Sequence, residues 1–128
     1  MRILLDTHIL VWALTDPERL RPQVRSAIEA TAADVAFSAV GILEIAIKSQ
    51  IARGDFPLDP EGVYEAALAV GFVELPVTSI AAMRVRSLPL HHRDPFDRLL
   101  VAQAMVEPAY LFTVDRTLAV YSELVTIV

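Results

Sequence analysis

Residues 2–14 read RILLDTHILVWAL. An apolar run of strand length, Ile3-Leu4-Leu5, ends on an acid, Asp6, and passes at once into an apolar stretch of helical length. Residues 2–6 read as the first strand and Thr7 to Leu14 as a helix that Asp16-Pro17 ends. The same alternation continues along the chain. A helix is expected from Pro22 to about Thr31, with the proline in its first turn. Val35 to Ser38 reads as a second strand, and a helix follows from Ala39 to about Arg53, with Gly54 as its C-terminal cap. Pro57 and Pro60 mark a loop, and a fourth helix starts near Pro60 and ends at Gly71. A short strand lies within residues 72–77, weakened by Pro76. Thr78 or Ser79 caps a fifth helix ending near Ser87, and LPLHHRD is a loop. Asp94 caps a sixth helix with Pro95 at its first position, and Pro108 closes it. Tyr110 to Thr113 is a strand running on to Asp115, a short helix follows Arg116, and residues 124–128 form the last strand. Strands alternating with helices predict an α/β/α sandwich in three layers, with a central, mostly parallel sheet of four or five strands.

The 128 residues are expected to form one domain. Hydrophobic residues make up 55% of the chain and charged residues 21%, and the mean hydropathy is +0.49. A domain of this size cannot bury that much apolar surface alone, so part of it is expected in an oligomer or partner interface. No apolar run is long enough for a membrane helix. Asp6 interrupts the N-terminal apolar run too early for a signal peptide. There is no cysteine, which excludes disulfides, thiolate metal sites and thiol nucleophiles. These features together predict a cytoplasmic protein.

Four acids stand in apolar surroundings: Asp6, Glu44, Asp97 and Asp115. An unpaired buried carboxylate is costly and tends to take up a proton. Four of them suggest a shared hard divalent cation, which prefers oxygen ligands, and with it an enzyme acting on phosphate esters. The net charge of −5 argues against a nucleic-acid partner at first sight. Four of those charges belong to the quartet itself, so the acidity does not exclude a polyanionic substrate.

Each acid has a competing structural reading. Asp6 suits a helix N-cap, and Asp115 suits a turn before Arg116. Glu44 has a local partner in Lys48 one turn on, worth about 0.3–0.5 kcal/mol, but its helix has almost no polar face. Gly41, three residues before it, would admit another backbone or an ion. Asp94 and Asp97 both sit favourably in the first turn of a helix, and spacing leaves open which of them serves a site. Thr113 can add a hydroxyl. His8, His91 and His92 show no HxxxH or HxH spacing, and His91-His92-Arg93 reads as a polar loop or a phosphate contact rather than a ligand set. No G-x-S-x-G and no phosphate-cradling G-x-x-x-x-G-K-[ST] is present.

Taken in order, LLDTHILVWAL, SAVGILEIAIK, HHRDPFDRLLVAQA and LFTVD resemble the PIN domain, and within it the VapC toxins of type II toxin–antitoxin systems. The resemblance covers nearly the whole chain. It implies that Asp6, Glu44, Asp97 and Asp115 form the metal pocket, which selects Asp97 over Asp94, with Thr113 and Asp94 as secondary candidates. It also implies an endoribonuclease that uses one or two Mg²⁺ or Mn²⁺ ions to hydrolyse RNA with activated water. A homodimer and a cognate antitoxin protein are expected as partners, and no membrane. Lys48, His91, His92, Arg93 and Arg98 are the candidate RNA contacts. The competing readings are a catalytically silent interaction domain of the same fold and another Mg²⁺-dependent phosphoesterase. An aspartate-nucleophile phosphatase usually has a second Asp two residues after the first, where this chain has His8. A receiver-type module would need a phosphoacceptor Asp and a late Lys, and neither is evident.

Overall fold

Both faces of the central strands are apolar, and both are covered. In the computed structural model, which describes residues 1–51 and 58–128, Ile3, Leu5, Val35 and Phe37 point into one core while Leu4, Ala36 and Leu111 point into the other. The strands are β1 (Arg2–Leu5), β2 (Val35–Ser38), β3 (Val73–Leu75), β4 (Ala109–Thr113) and β5 (Val125–Ile127). The helices are α1 (Thr7–Thr15), α2 (Pro22–Ala30), α3 (Ala39–Ile51), α4 (Pro60–Ala69), α5 (Ser79–Arg84) and α6 (Pro95–Val106). Short 3₁₀ turns at Pro17–Arg19, Ala32–Asp34, Val85–Ser87 and Arg116–Val120 join them. The expected end of α3 at Arg53 and its cap at Gly54 lie outside the described residues, as does Pro57.

The sheet has five strands in the order β3-β2-β1-β4-β5. Its four pairings are all parallel, so the expected mostly parallel sheet is parallel throughout. Residues of α1, α2 and α4 pack with Ile9, Leu10, Val24, Ile28 and Val63 on one face. The other face is covered by α6 through Leu100, Val101 and Ala104. Helix α3 contributes Ile45 to the first core and Val40 to the second.

Helix ends follow local chemistry. Gly71 takes a positive φ of 96°, and its N–H and that of Phe72 return to Leu68 and Ala67 carbonyls at 3.0 Å each, closing α4 in the way glycine permits. Thr78 caps α5 by accepting from the Ala81 N–H. Ser38 accepts from the Val40 N–H at 2.9 Å and donates to Gln103 Oε1 at 2.6 Å, so the start of α3 is tied to α6 through a buried pair.

The topology decides where a site can form. From β1 the chain moves outward to β2 and β3, and from β4 it moves to β5 on the opposite side. The carboxyl ends of β1 and β4 therefore flank a point where strand order reverses, which opens a crevice in parallel sheets. Asp6 follows β1 and Asp115 follows β4.

Candidate functional site

Strand register brings Asp6 and Thr113 together. Leu5 pairs with Phe112, the Asp6 N–H extends the ladder to the Phe112 carbonyl at 3.0 Å, and the next residue of β4 is Thr113. The Thr113 hydroxyl donates to Asp6 Oδ2 at 2.6 Å and accepts from the Asp115 N–H at 3.0 Å. One fully buried hydroxyl thus holds two acids of the quartet. Asp6 is only 6% exposed. Its other oxygen, Oδ1, accepts from the Thr7 N–H at 2.6 Å, so it also caps α1, as its position before the helix suggested.

Thr7 carries the link to α3. Its hydroxyl donates to Glu44 Oε1 at 3.1 Å. Glu44 Oε2 faces Lys48 Nζ at 3.3 Å, so the local ion pair and the inward contact coexist. Gly41 permits the approach: a Cβ there would lie 3.2 Å from Thr7 Oγ1. The side chain of Glu44 is 15% exposed.

Asp97 and Asp94 rise from the first turn of α6. Asp94 Oδ1 accepts from the Phe96 N–H at 2.9 Å, the N-cap contact its position before Pro95 suggested. Asp97 Oδ2 lies 2.9 Å from His92 Nε2. Burial pushes Asp97 up to about 6; the His92 contact opposes this, and the Asp6 and Asp94 carboxylates reinforce it. His92, Asp94 and Asp97 each offer a ligand atom, all within 4.8 Å of one another.

Asp115 behaves differently. It caps the Arg116–Val120 turn, accepting on Oδ1 from the Thr117 N–H at 3.0 Å and from its hydroxyl at 2.6 Å. These bonds hold its carboxyl below the usual carboxylate value. Its Oδ2 is 3.9 Å from His92 Nε2.

The candidate RNA contacts separate. Arg93 and His91 are exposed. Lys48 faces Glu44. Arg98 is turned inward: Nη2 donates to the Leu88 carbonyl at 2.9 Å and the Val85 carbonyl at 3.3 Å, and Nε is buried with no partner among the described residues. The guanidinium read from the sequence as an RNA contact closes the turn after α5 instead. His92 lies against the acids rather than on an outer rim. Several residues escaped the sequence reading: Thr7, Thr117, Tyr121 and the Gln103 that pairs with Ser38. Only Thr117 left a local signal, a D-x-T turn.

The site is therefore a crevice at the switch point of a parallel sheet. Its acids arrive from the ends of β1 and β4 and from two helices; threonine hydroxyls tie Asp6, Glu44 and Asp115 into the site, and His92 contacts Asp97. A carboxylate raised by burial and like charge, beside oxygens already oriented by hydrogen bonds, forms a donor set that fits a hard divalent cation. This is the architecture of a parallel α/β fold with a candidate cation site at its switch point. The PIN domain family model matches residues 3–124, and the chain belongs to that family. Among solved structures, the chain is similar to one in DNA-bound VapBC from Salmonella typhimurium, with a TM-score of 0.70 and 14% identity over 91% of this chain and 89% of that one. It is also similar to one in VapBC2 from Rickettsia felis bound to a DNA fragment from its promoter, with a TM-score of 0.67 and 16% identity over 90% and 88%. No curated protein sequence matches it.

Proposed function

We propose that the chain is a Mg²⁺- or Mn²⁺-dependent endoribonuclease acting as the toxin of a toxin–antitoxin pair. The observation that carries the reading is the buried Asp6 at the switch point, bonded through Thr113 to the Asp115 backbone and through Thr7 to Glu44. Asp6, Glu44, Asp97 and Asp115 would hold one or two ions. When bound, the metal activates water for attack and offsets charge on the leaving oxygen.

The chain's own part is orientation. Thr113 fixes the carboxylate of Asp6 and the backbone of Asp115, and Thr7 fixes Glu44. An acid constrained in this way loses less freedom on binding an ion. In the reaction, the oxygen of water bonds to phosphorus in line with the P–O3′ bond, which breaks. The products carry 5′-phosphate and 3′-hydroxyl ends. Arg93 and His91, exposed beside Asp94, would meet backbone phosphates.

Two features support the partner expectations. A groove of about 160 Å³ lined by Thr7, His8, Val11, Ile45, Lys48 and Leu58 opens beside Glu44, suited to the apolar face of an antitoxin helix. A trailing Arg or Lys from that helix would reach the acids and take the place of the metal. Leu43 on α3, Leu68 on α4, and Ile80 and Met83 on α5 are 44–64% exposed, apolar surface that a homodimer would cover. Among the described residues, no helix is long and apolar enough to cross a membrane.

The test is cleavage of mixed RNA by the purified chain with Mg²⁺, with Mn²⁺, with chelator, and as Asp6→Asn. Metal-dependent cleavage that disappears in Asp6→Asn is the expected result. Equal cleavage by both proteins would assign the activity to a contaminant and remove the reading.

A further inference from the structure

His92 enters the crevice on a clamped loop. Its backbone N–H donates to the Tyr121 hydroxyl at 2.8 Å, and the Tyr121 ring also faces His91 at 5.9 Å. The His92 side chain is 23% exposed. Its Nε2 lies 2.9 Å from Asp97 Oδ2 and 3.9 Å from Asp115 Oδ2, and its Nδ1 lies 3.4 Å from Thr117 Oγ1.

Thr117 favours one tautomer of the ring. A hydroxyl has one proton, and Thr117 gives it to Asp115 Oδ1 at 2.6 Å, an acceptor-only oxygen. Toward His92 the Thr117 oxygen can only accept, so Nδ1 carries the N–H. In the neutral ring the lone pair is then on Nε2, aimed between two carboxylate oxygens. A proton on Nε2 can satisfy these oxygens, and when it leaves, a lone pair and two anionic oxygens face the place a cation would take. Metal-ligating histidines show the same arrangement, with the second ring nitrogen donating to an oriented oxygen.

We propose that His92 Nε2 is a nitrogen ligand to a divalent cation bridging Asp97 and Asp115, and that it biases the site toward Mn²⁺ over Mg²⁺. The inference rests on the metal-dependent reading above. Ligand atoms about 2.1 Å from an ion on adjacent octahedral positions lie about 3 Å apart. The 2.9 Å separation to Asp97 already meets that spacing. The 3.9 Å separation to Asp115 closes with a small movement of a carboxylate that is 34% exposed. Imidazole suits first-row transition metals, whereas Mg²⁺ prefers all-oxygen shells.

The experiment is a titration of the metal-free chain with MnCl₂ followed by continuous-wave and pulsed EPR. The wild type should bind Mn²⁺ and show coupling to one directly bound imidazole ¹⁴N, and the coupling should change to the ¹⁵N pattern when histidine is ¹⁵N-labelled. His92→Gln should lose the coupling and weaken Mn²⁺ binding by about 10-fold or more. Its Mg²⁺ affinity, measured by competition, should fall less than about threefold. His8→Gln and His91→Gln should keep the signal. Mn²⁺ bound without nitrogen coupling in the wild type, or coupling that persists in His92→Gln, overturns the role of His92 and leaves the metal-dependent nuclease standing. No Mn²⁺ uptake by the wild type overturns both.

Discussion

Asp97→Asn should make the metal-free protein more stable while abolishing cleavage. Burial, with Asp6 and Asp94 nearby, raises the folded-state pKa of Asp97 from 3.8 to about 6, against the opposing pull of His92. The folded chain therefore holds this proton more tightly than the unfolded chain. Stability falls as pH rises from about 4 to about 6 and is level above that, the reverse of the usual salt-bridged aspartate. Roughly two pKa units correspond to about 3 kcal/mol. The side chain keeps 18% exposure, and screening by water reduces the expected cost to about 1–2 kcal/mol. Asparagine resembles the protonated acid, and its amide can donate to the Nε2 lone pair of His92. In chelator at pH 7.5, Asp97→Asn should melt about 4–8 °C above the wild type, and the gap should close near pH 4. Saturating Mn²⁺ should raise the wild type and leave the variant behind, because the ion rewards the charged acid. A variant no more stable than the wild type in chelator, or a gap unchanged between pH 4 and pH 7.5, would refute the reasoning.

Ion binding should displace the Asp97 proton. Calorimetry in buffers of different ionisation enthalpy should detect proton release near pH 6 and almost none at pH 8, with weaker metal binding at the lower pH. Thr113→Val keeps the shape but removes the donor to Asp6 and the acceptor for the Asp115 N–H. It should cost about 1–3 kcal/mol in denaturant unfolding and lower metal affinity about 10- to 100-fold. Gly41→Ala would ordinarily stabilise a helix interior by about 0.5–1 kcal/mol. Here the added Cβ crowds Thr7 Oγ1 at 3.2 Å, so no gain in melting temperature is expected, and metal-dependent cleavage should drop. Arg93→Gln should reduce the salt dependence of RNA binding. Arg98→Met should leave that slope unchanged but lower stability, by about 1–3 kcal/mol, through the orphaned Val85 and Leu88 carbonyls.

Much of the architecture is written in local sequence. Ile3-Leu4-Leu5 before Asp6, Val35 to Ser38 before Ala39, and Asp94-Pro95 before an apolar helix each state their element and its end, because strand, cap and proline chemistry act over a few residues. The competing local readings are features of the structure as well: Asp94 and Asp6 are caps, Asp115 caps the turn that starts at Arg116, and Lys48 faces Glu44. Asp6 shows that capping and site-building do not exclude each other, since its two oxygens take separate partners.

The contacts that give the acids their chemistry were not legible in this way. Thr113 and Asp6 are 107 residues apart, and Thr7 and Glu44 are 37 apart. They meet only because β1 and β4 pair in one register and α3 lies against Thr7 at Gly41. His92 looked like part of a polar loop because nothing near it in sequence shows that Tyr121 holds its backbone and Thr117 its ring. Arg98 looked like a surface cation because the carbonyls it binds end a different helix. The sequence by itself determined the order of strands and helices and placed acids at strand ends and helix starts, since those preferences are set by neighbours along the chain. Tertiary structure alone decided which oxygens converge, which carboxyl is raised and which is lowered. Burial, charge proximity and hydrogen bonding are properties of distance in space, and sheet topology sets those distances.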